Sequence, residues 1–301
     1  MPIAQRIVAL ALLCACAAGL ARAACPPAGQ TRDSLQTLKA AQWRLPGDGA
    51  EAARDALAQG LVDCLADPDP QLRDQIAFEA LSAWMRGKQL APPVLHAIRT
   101  RLLAMLAAPA DAAGLGQPFA ALTLAEVARV DRLQPFLTDA QRAELVDQGT
   151  RYLAGVRDYR GFDARDGWRH GVAHGADLML QLSLHPQLQR AQGEAMLAAI
   201  ALQVLPAGEH AYRYGEPERL MAPAFYLARR GGWTAAEWDA WFDALAARRQ
   251  KGPPFTQTTL AQRHNLGAFL QAFYVAVQEG PDADQKARLL PGLRRAIQTL
   301  D

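Results

Sequence analysis

Leu65-Ala66-Asp67-Pro68-Asp69-Pro70-Gln71-Leu72-Arg73 is the stretch of sequence that decides the fold. Its two prolines end one helix and begin the next, because proline cannot continue a helix but suits a first turn. Asp69, directly before Pro70, predicts an N-cap that satisfies the free backbone N–H groups of the helix start. The stretch therefore predicts two helices joined by a tight turn.

The same signals recur along the rest of the chain. The stretches 138–141 and 234–237 fit the capping box, and apolar residues between the joints recur at helical spacing. Short connections favour antiparallel helix pairs, and the stretch 65–73 resembles the turn of a HEAT repeat. We therefore expect an all-α fold, a single HEAT-like solenoid of about six antiparallel helix pairs over residues 24–301. The predicted helices are 33–42, 48–66, 70–86, 92–107, 117–133, 139–155, 165–184, 187–204, 217–230, 235–247, 257–278 and 282–299.

Residues 1–23 have the three parts of a secretory signal peptide. Arg6 precedes an apolar run from Ile7 to Leu20, and the small residues that follow fit cleavage after Ala23. The run is shorter than the roughly 20 residues of a membrane-spanning helix. We therefore expect a periplasmic or secreted protein with no membrane span. The alternative is a lipoprotein anchored at Cys16, because the residues around it resemble a lipobox.

Cleavage would leave a mature chain without net charge. The formal net charge of the whole chain is +2, and Arg6 and Arg22 are the only charged residues among residues 1–23. Nucleic-acid binding depends on clustered Lys and Arg side chains, so we expect no nucleic-acid partner.

Two cysteines remain after this cleavage, Cys25 and Cys64. Exported proteins meet an oxidising compartment, where an even pair favours a disulfide. Cys25 precedes the first predicted helix and Cys64 lies near the end of the second, and these ends are neighbours in an antiparallel hairpin. We therefore predict a Cys25–Cys64 disulfide, with two independent thiols as the alternative.

Polar residues interrupt the Ala- and Leu-rich background between residues 159 and 178. On the predicted helix 165–184, His170, His174 and Asp177 lie within an arc of about 60°. The apolar residues lie around the other side, so we expect this polar face to point to solvent. Two imidazoles and a carboxylate are ligands that zinc accepts, which makes the three residues a candidate site for zinc or another divalent metal. An ordinary solvated helix face is the alternative.

Three glycines, Gly167, Gly171 and Gly175, recur four residues apart in the same predicted helix. Each glycine inside a helix costs about 0.8–1.0 kcal/mol relative to alanine. The stripe therefore predicts the close approach of a neighbouring backbone or a ligand.

Six motifs of the sequence together suggest a relationship to other proteins. They are Arg73-Asp74-x-x-Ala77-Phe78-Glu79-Ala80-Leu81, Arg160-Gly161-Phe162-Asp163, Gly167-Trp168-x-His170-x-x-Ala173-His174-Gly175-Ala176-Asp177-Leu178, His185-Pro186, Glu218-Arg219-Leu220 and Arg263-x-Asn265-Leu266-x-x-Phe269-Leu270. These motifs resemble those of an uncharacterised bacterial family, domain of unknown function 2785. The resemblance covers about residues 33–280 and implies an all-helical, HEAT-like fold without implying an activity.

We expect a binding or scaffold protein rather than an enzyme, because the sequence has no Gly-x-Ser-x-Gly and no Cys-x-x-Cys motif. Its partner would be a protein, a peptide or a small molecule held in a groove of the solenoid. A metal-assisted hydrolase centred on His170, His174 and Asp177 is the alternative. The candidate groove residues are Asp163, Trp168, His170, His174, Asp177, Arg219 and His264.

Overall fold

The computed structural model describes residues 25–249 and 255–300, which fold mainly into α-helices. The predicted signal peptide and the alternative anchor at Cys16 lie outside the described residues.

The all-α prediction is confirmed. The helices are α1 (Arg32–Ala40), α2 (Ala50–Cys64), α3 (Pro70–Leu72, a π-helical segment Arg73–Phe78, and Glu79–Arg86), α4 (Pro92–Ala107), α5 (Gly116–Leu133), α6 (Asp139–Gly155), α7 (Gly171–Ser183), α8 (Arg190–Val204), α9 (Glu216–Arg229), α10 (Ala235–Ala247), α11 (Gln257–Glu279) and α12 (Ala283–Gln298).

The predicted helix starts are capped as the sequence indicates. The Asp69 carboxylate accepts a hydrogen bond from the Gln71 backbone N–H at 2.8 Å, with Pro70 at the first helical position. Thr138 and Thr234 each form a capping box at the start of α6 and α10. These local contacts fix where each helix begins, because they satisfy backbone N–H groups that have no partner inside the helix.

The odd-numbered helices from α3 to α11 pack side by side in chain order. The even-numbered helices α2, α4, α6 and α8 pack in order against one another, and α10 packs against α12. Large apolar side chains fill the space between these helices. Phe119 of α5, Met179 of α7, Leu220 of α9 and Phe269 of α11 are all fully or almost fully buried. Helix α7 consequently lies between α5 and α9, its two closest neighbours.

The predicted disulfide is present and joins Cys25 to Cys64, the last residue of α2. The two Cα atoms are 5.1 Å apart, within the range that a disulfide spans. Among the described residues, no helix is both long and apolar enough to cross a membrane.

The beginning of the predicted helix 165–184 is wrong. Residues 162–168 form a small antiparallel hairpin of β1 (Phe162–Asp163) and β2 (Gly167–Trp168), and α7 begins only at Gly171. Gly167 has a φ of +72°, which glycine adopts without strain. A Cβ atom at Gly167 would lie 2.8 Å from the Cβ of Pro70, so the hairpin also needs glycine here to approach α3.

Arg73, in the π-helical segment of α3, ties the hairpin to the helices. Its side chain is fully buried, and it donates hydrogen bonds to the carbonyl oxygens of Asp67 at 2.9 Å and Asp166 at 2.7 Å. Its guanidinium also lies over the Phe119 ring, 4.9 Å from the ring centroid. The hairpin is therefore held in a fixed position above α3 and α5.

Candidate functional site

Three large aromatic side chains, Phe162, Trp168 and Tyr214, form a contiguous exposed surface that we call the aromatic patch. They are 48%, 37% and 42% exposed. The Trp168 ring centroid is 5.1 Å from that of Phe162 and 5.6 Å from that of Tyr214. Phe162 and Trp168 are paired across the hairpin, whereas Tyr214 comes from the loop before α9. The patch therefore joins two segments that are distant in sequence.

The position of Tyr214 depends on Gly161. The Tyr214 ring packs on the Gly161 backbone so closely that a Cβ atom at Gly161 would overlap the ring. The Tyr214 hydroxyl is 3.4 Å from the carbonyl oxygen of Phe162, as donor to acceptor. The patch therefore requires glycine at position 161, because any larger residue would displace the Tyr214 ring.

His170 lies directly beneath the patch. Its ring stacks on that of Trp168, with centroids 4.8 Å apart and an interplanar angle of 23°. Its backbone is in the left-handed region, with φ 52° and ψ 39°, immediately before α7 begins. A residue with a Cβ atom pays about 1–2 kcal/mol for this conformation. The surrounding contacts must therefore hold His170 in place.

Glu216 at the start of α9 connects the two sides of the patch from below. Its carboxylate accepts a hydrogen bond from the Tyr214 backbone N–H at 2.8 Å, and its Oε1 is 3.4 Å from Nε2 of His170. Burial alone would raise the pKa of Glu216, but the contacts with His170 and the Tyr214 N–H outweigh it and lower the pKa. The carboxylate is therefore kept ionised beneath the rings.

His174, one turn along α7, is a buried side chain. Its ring packs edge-on against Phe119 at 5.1 Å, and its Nδ1 has no hydrogen-bond partner among the described residues. Burial, together with the nearby positive charges, lowers its pKa to about 3. His174 is therefore neutral near pH 7.

Asp177 and Arg219 form an ion pair between α7 and α9. The Asp177 side chain is 19% exposed, and burial raises its pKa although Arg219 opposes the shift. The Arg219 side chain is half exposed. The pair places charged groups on α7, which begins directly after His170, and on α9, which begins at Glu216.

The expected solvent-facing polar stripe is wrong for both histidines. His170 and His174 are each only 7% exposed. Helical spacing does not predict the direction of the His170 side chain, because His170 precedes the first residue of α7. His174 is covered because α7 lies between α5 and α9, so a face opposite the apolar residues still meets a neighbouring helix.

The expected metal site does not assemble. Within residues 25–249 and 255–300, no three or more His, Cys, Asp or Glu side chains are grouped so that they could hold a metal ion. Asp177 is paired with Arg219, and His170 faces Glu216. The donor geometry therefore gives no support to the metal-assisted hydrolase.

Two other candidate groove residues have different positions from those expected. His264 has its Nε2 3.0 Å from the carbonyl oxygen of Tyr212 and borders a separate depression beside α12, because α11 packs against α9 and not against α7. Asp163 is exposed and caps the hairpin turn, accepting from the N–H groups of Arg165 at 2.9 Å and Asp166 at 3.0 Å. These hydrogen bonds lower the pKa of Asp163.

The candidate residues chosen from the sequence do not include Phe162, Tyr214 and Glu216, although the aromatic and charged loop 212–219 is a segment that could line a groove. A usable signal existed for the hairpin, because Asp163 and Gly167 are the residue types that begin and end tight turns. No local signal links residues 162–168 to residues 214–216, which are brought together only by the packing of α7 against α9.

A family model described as "Protein of unknown function (DUF2785)" matches residues 102–275, more than half of the chain. The matched region contains the aromatic patch, the buried histidines and the Asp177–Arg219 pair. No curated protein and no solved structure matches the chain.

Proposed function

We propose that this chain, which belongs to the DUF2785 family, is an exported binding protein that docks a peptide segment of a partner on the aromatic patch. The single observation that carries the proposal is the patch itself. Three large aromatic side chains, joined through contacts of the Trp168 ring with the other two, are between 37% and 48% exposed, although burying such rings would stabilise the fold. Contiguous exposed apolar surfaces of this kind mark interaction sites, and Trp and Tyr dominate binding hot spots.

The patch is also held rigid before any partner arrives. Trp168 rests on the buried His170 ring, and Tyr214 is fixed by Glu216 below it. A partner would therefore lose little affinity to ordering these rings. The strained backbone of His170 supports the same interpretation, because such strain persists where the surrounding structure fixes a site.

A depression of about 400 Å³ adjoins the patch and indicates the chemistry of the peptide. Phe162 and Tyr214 form part of its wall, and the arginines that line it (Arg160, Arg169 and Arg213) outnumber its acidic side chains (Asp163 and Asp166). Arg160 is paired with Asp158, whereas Arg213 has no acidic partner among the described residues. We therefore expect a peptide that carries a carboxylate next to a large apolar side chain.

The proposed setting is outside the cytoplasm. The signal-peptide pattern of residues 1–23 and the Cys25–Cys64 disulfide support export, since disulfides persist in oxidising compartments. The side-by-side order of the odd and even helices supports a HEAT-like solenoid, an architecture suited to binding extended segments.

An array of short random peptides probed with the labelled mature protein tests the proposal. We expect bound sequences to combine an acidic and a large apolar residue, and Trp168→Ala to weaken their binding by about thirtyfold, as expected for a hot-spot residue. Phe255→Ala is the control, because Phe255 is 69% exposed and lies outside the patch. If the peptides bind the Trp168→Ala variant as tightly as the Phe255→Ala variant, the patch is not their binding site. If no peptide on the array binds the protein, the proposed ligand class is wrong.

A further inference from the structure

An apolar groove of about 630 Å³ lies between α8 and α10, on the side of the molecule formed by the even-numbered helices. Helix α6 packs against α8 and α10 packs against α12, but α8 and α10 are not a closely packed pair in the described chain. The groove fills the resulting gap. Its volume and its mainly apolar and aromatic walls are typical of small-molecule binding sites.

Each wall of the groove is one face of a helix. The residues on each side recur three or four positions apart, the spacing that places them in a row. The wall from α8 comprises Arg190, Glu194, Leu197, Ala198, Ala201 and Leu202. The wall from α10 includes Glu237, Trp238, Trp241, Ala244, Leu245 and Arg248, the last just beyond the helix. Small alanines on both helices leave the space open along the row.

One end of the groove is closed by ion pairs and carries a net negative charge. Arg190 donates to Glu194 at 2.9 Å and also pairs with Glu237, which links the starts of α8 and α10. Its guanidinium lies over the ring of Trp233, 5.5 Å from the ring centroid. The single guanidinium is engaged by both carboxylates, so this end keeps a net charge of −1 and offers no free cation to a ligand.

The other end is open and carries a free positive charge. Leu202 is 43% exposed there, and within the described residues no acidic side chain pairs with Arg248. From Arg190 to Leu202 the groove follows thirteen residues of helix, or about 18 Å from the first Cα atom to the last. The groove is therefore a narrow apolar channel with its only unpaired cation at the open end.

We propose that this groove binds a single-chain fatty acid. The alkyl chain lies along the alanines and tryptophans, and the carboxylate lies beside Arg248. The charge of the groove favours this polarity, because a carboxylate at the closed end would meet Glu194 and Glu237, whereas at the open end it meets an unpaired guanidinium. The site is separate from the aromatic patch and does not depend on the function proposed for that patch.

Calorimetric titration of the mature protein with tetradecanoate, below its micellar concentration, tests the groove. Ala244→Phe places a ring in the channel, while Ala247→Phe places the same ring on an exposed part of α10 outside the groove. We expect Ala244→Phe to weaken binding about tenfold, which corresponds to lost burial of about two methylene groups. Ala247→Phe should bind like the unaltered protein. Equal binding by the two variants, or no binding by the unaltered protein, would overturn the proposal.

The carboxylate head group of the fatty acid allows a second test, which remains valid even if the Ala244→Phe variant does not fold. Arg248→Gln should weaken tetradecanoate binding about two- to fivefold, the worth of an exposed ion pair, and leave tetradecanol binding unchanged. Trp168→Ala should change neither affinity. An equal loss for the acid and the alcohol would overturn the placement of the carboxylate, and a loss on Trp168→Ala would overturn the separation of the two sites.

Discussion

His174 is the buried side chain whose ionisation most directly couples the site to pH. Its pKa is about 3 in the folded protein, whereas an unperturbed histidine titrates at 6.5. Protons therefore bind the unfolded chain more readily, and the stability that the neutral ring contributes is present above pH 6.5 and lost as the pH falls. Each pH unit in this window is worth about 1.4 kcal/mol.

Acidification should consequently destabilise the protein more than a variant that lacks this imidazole. Between pH 6.5 and pH 4.5 we expect the natural protein to lose about 2 kcal/mol more unfolding free energy than His174→Gln, because glutamine does not titrate. Urea unfolding of both proteins at the two pH values measures this difference. If both proteins lose the same amount of unfolding free energy, His174 must be accessible to protons in the folded state.

The sequence could not predict that His170 and His174 are buried, and the reason is physical. Helical spacing shows which residues share a face of a helix, but not how many neighbours cover that helix. Helix α7 meets α5 on one side and α9 on the other, so little of its surface reaches solvent. The pairing of Asp177 with Arg219 depends on the same packing.

At the scale of elements, the contact between α6 and α7 explains two of the three glycines in the predicted stripe. A Cβ atom at Gly175 would lie 3.0 Å from Cδ1 of Leu153, and one at Gly171 would lie 3.2 Å from the Tyr152 hydroxyl. A close approach is therefore present at Gly171 and Gly175, but it is made by side chains of α6 and not by the backbone or ligand that the sequence led us to expect. Gly167 belongs to the hairpin instead, where its positive φ is the requirement.

Replacing Gly175 by leucine should destabilise the protein although leucine is the better helix former. We expect a net loss of about 1–2 kcal/mol, because overpacking costs about 1–3 kcal/mol and helix propensity returns less than 1 kcal/mol. Gly155→Leu is the control, since nothing lies within 4 Å of a Cβ atom at the end of α6. Equilibrium urea unfolding compares the two, and a Gly175→Leu protein as stable as the control would contradict the close contact.

The hairpin shows where local prediction fails within an element. Asp163 and Gly167 carry readable turn signals, yet the apolar and polar spacing after residue 165 also fits a helix. The hairpin prevails because Arg73 binds the carbonyl oxygen of Asp166 from α3, a contact ninety-three residues away in sequence. Such a long-range partner leaves no mark in the local pattern.

At the scale of the whole molecule, the helices followed from the sequence because their signals are local, and the disulfide followed from the cysteine count and the pairing of the first two helices. The predicted ranges 92–107, 139–155 and 235–247 agree with the observed bounds of α4, α6 and α10. Caps and prolines determine these ends wherever the helix is packed. The layering of the helices is not local, which is why His264 was expected near Trp168 but borders a different depression.

The two proposed binding surfaces are formed by different parts of this arrangement. The aromatic patch is built on the hairpin and the starts of α7 and α9, whereas the apolar groove lies between α8 and α10. Each contains tryptophan, and the chain has six tryptophans in all, so the indole N–H groups can report on both surfaces at once. Trp168 reports on the patch, and Trp238 and Trp241 report on the groove.

The central claim is that the aromatic patch binds peptide, and indole NMR tests it most directly. A peptide selected on the array is titrated into ¹⁵N-labelled mature protein while the indole N–H resonances are followed. The patch predicts that the Trp168 resonance moves most and that those of Trp238 and Trp241 stay in place. A bound peptide that leaves the Trp168 resonance unmoved would contradict the account.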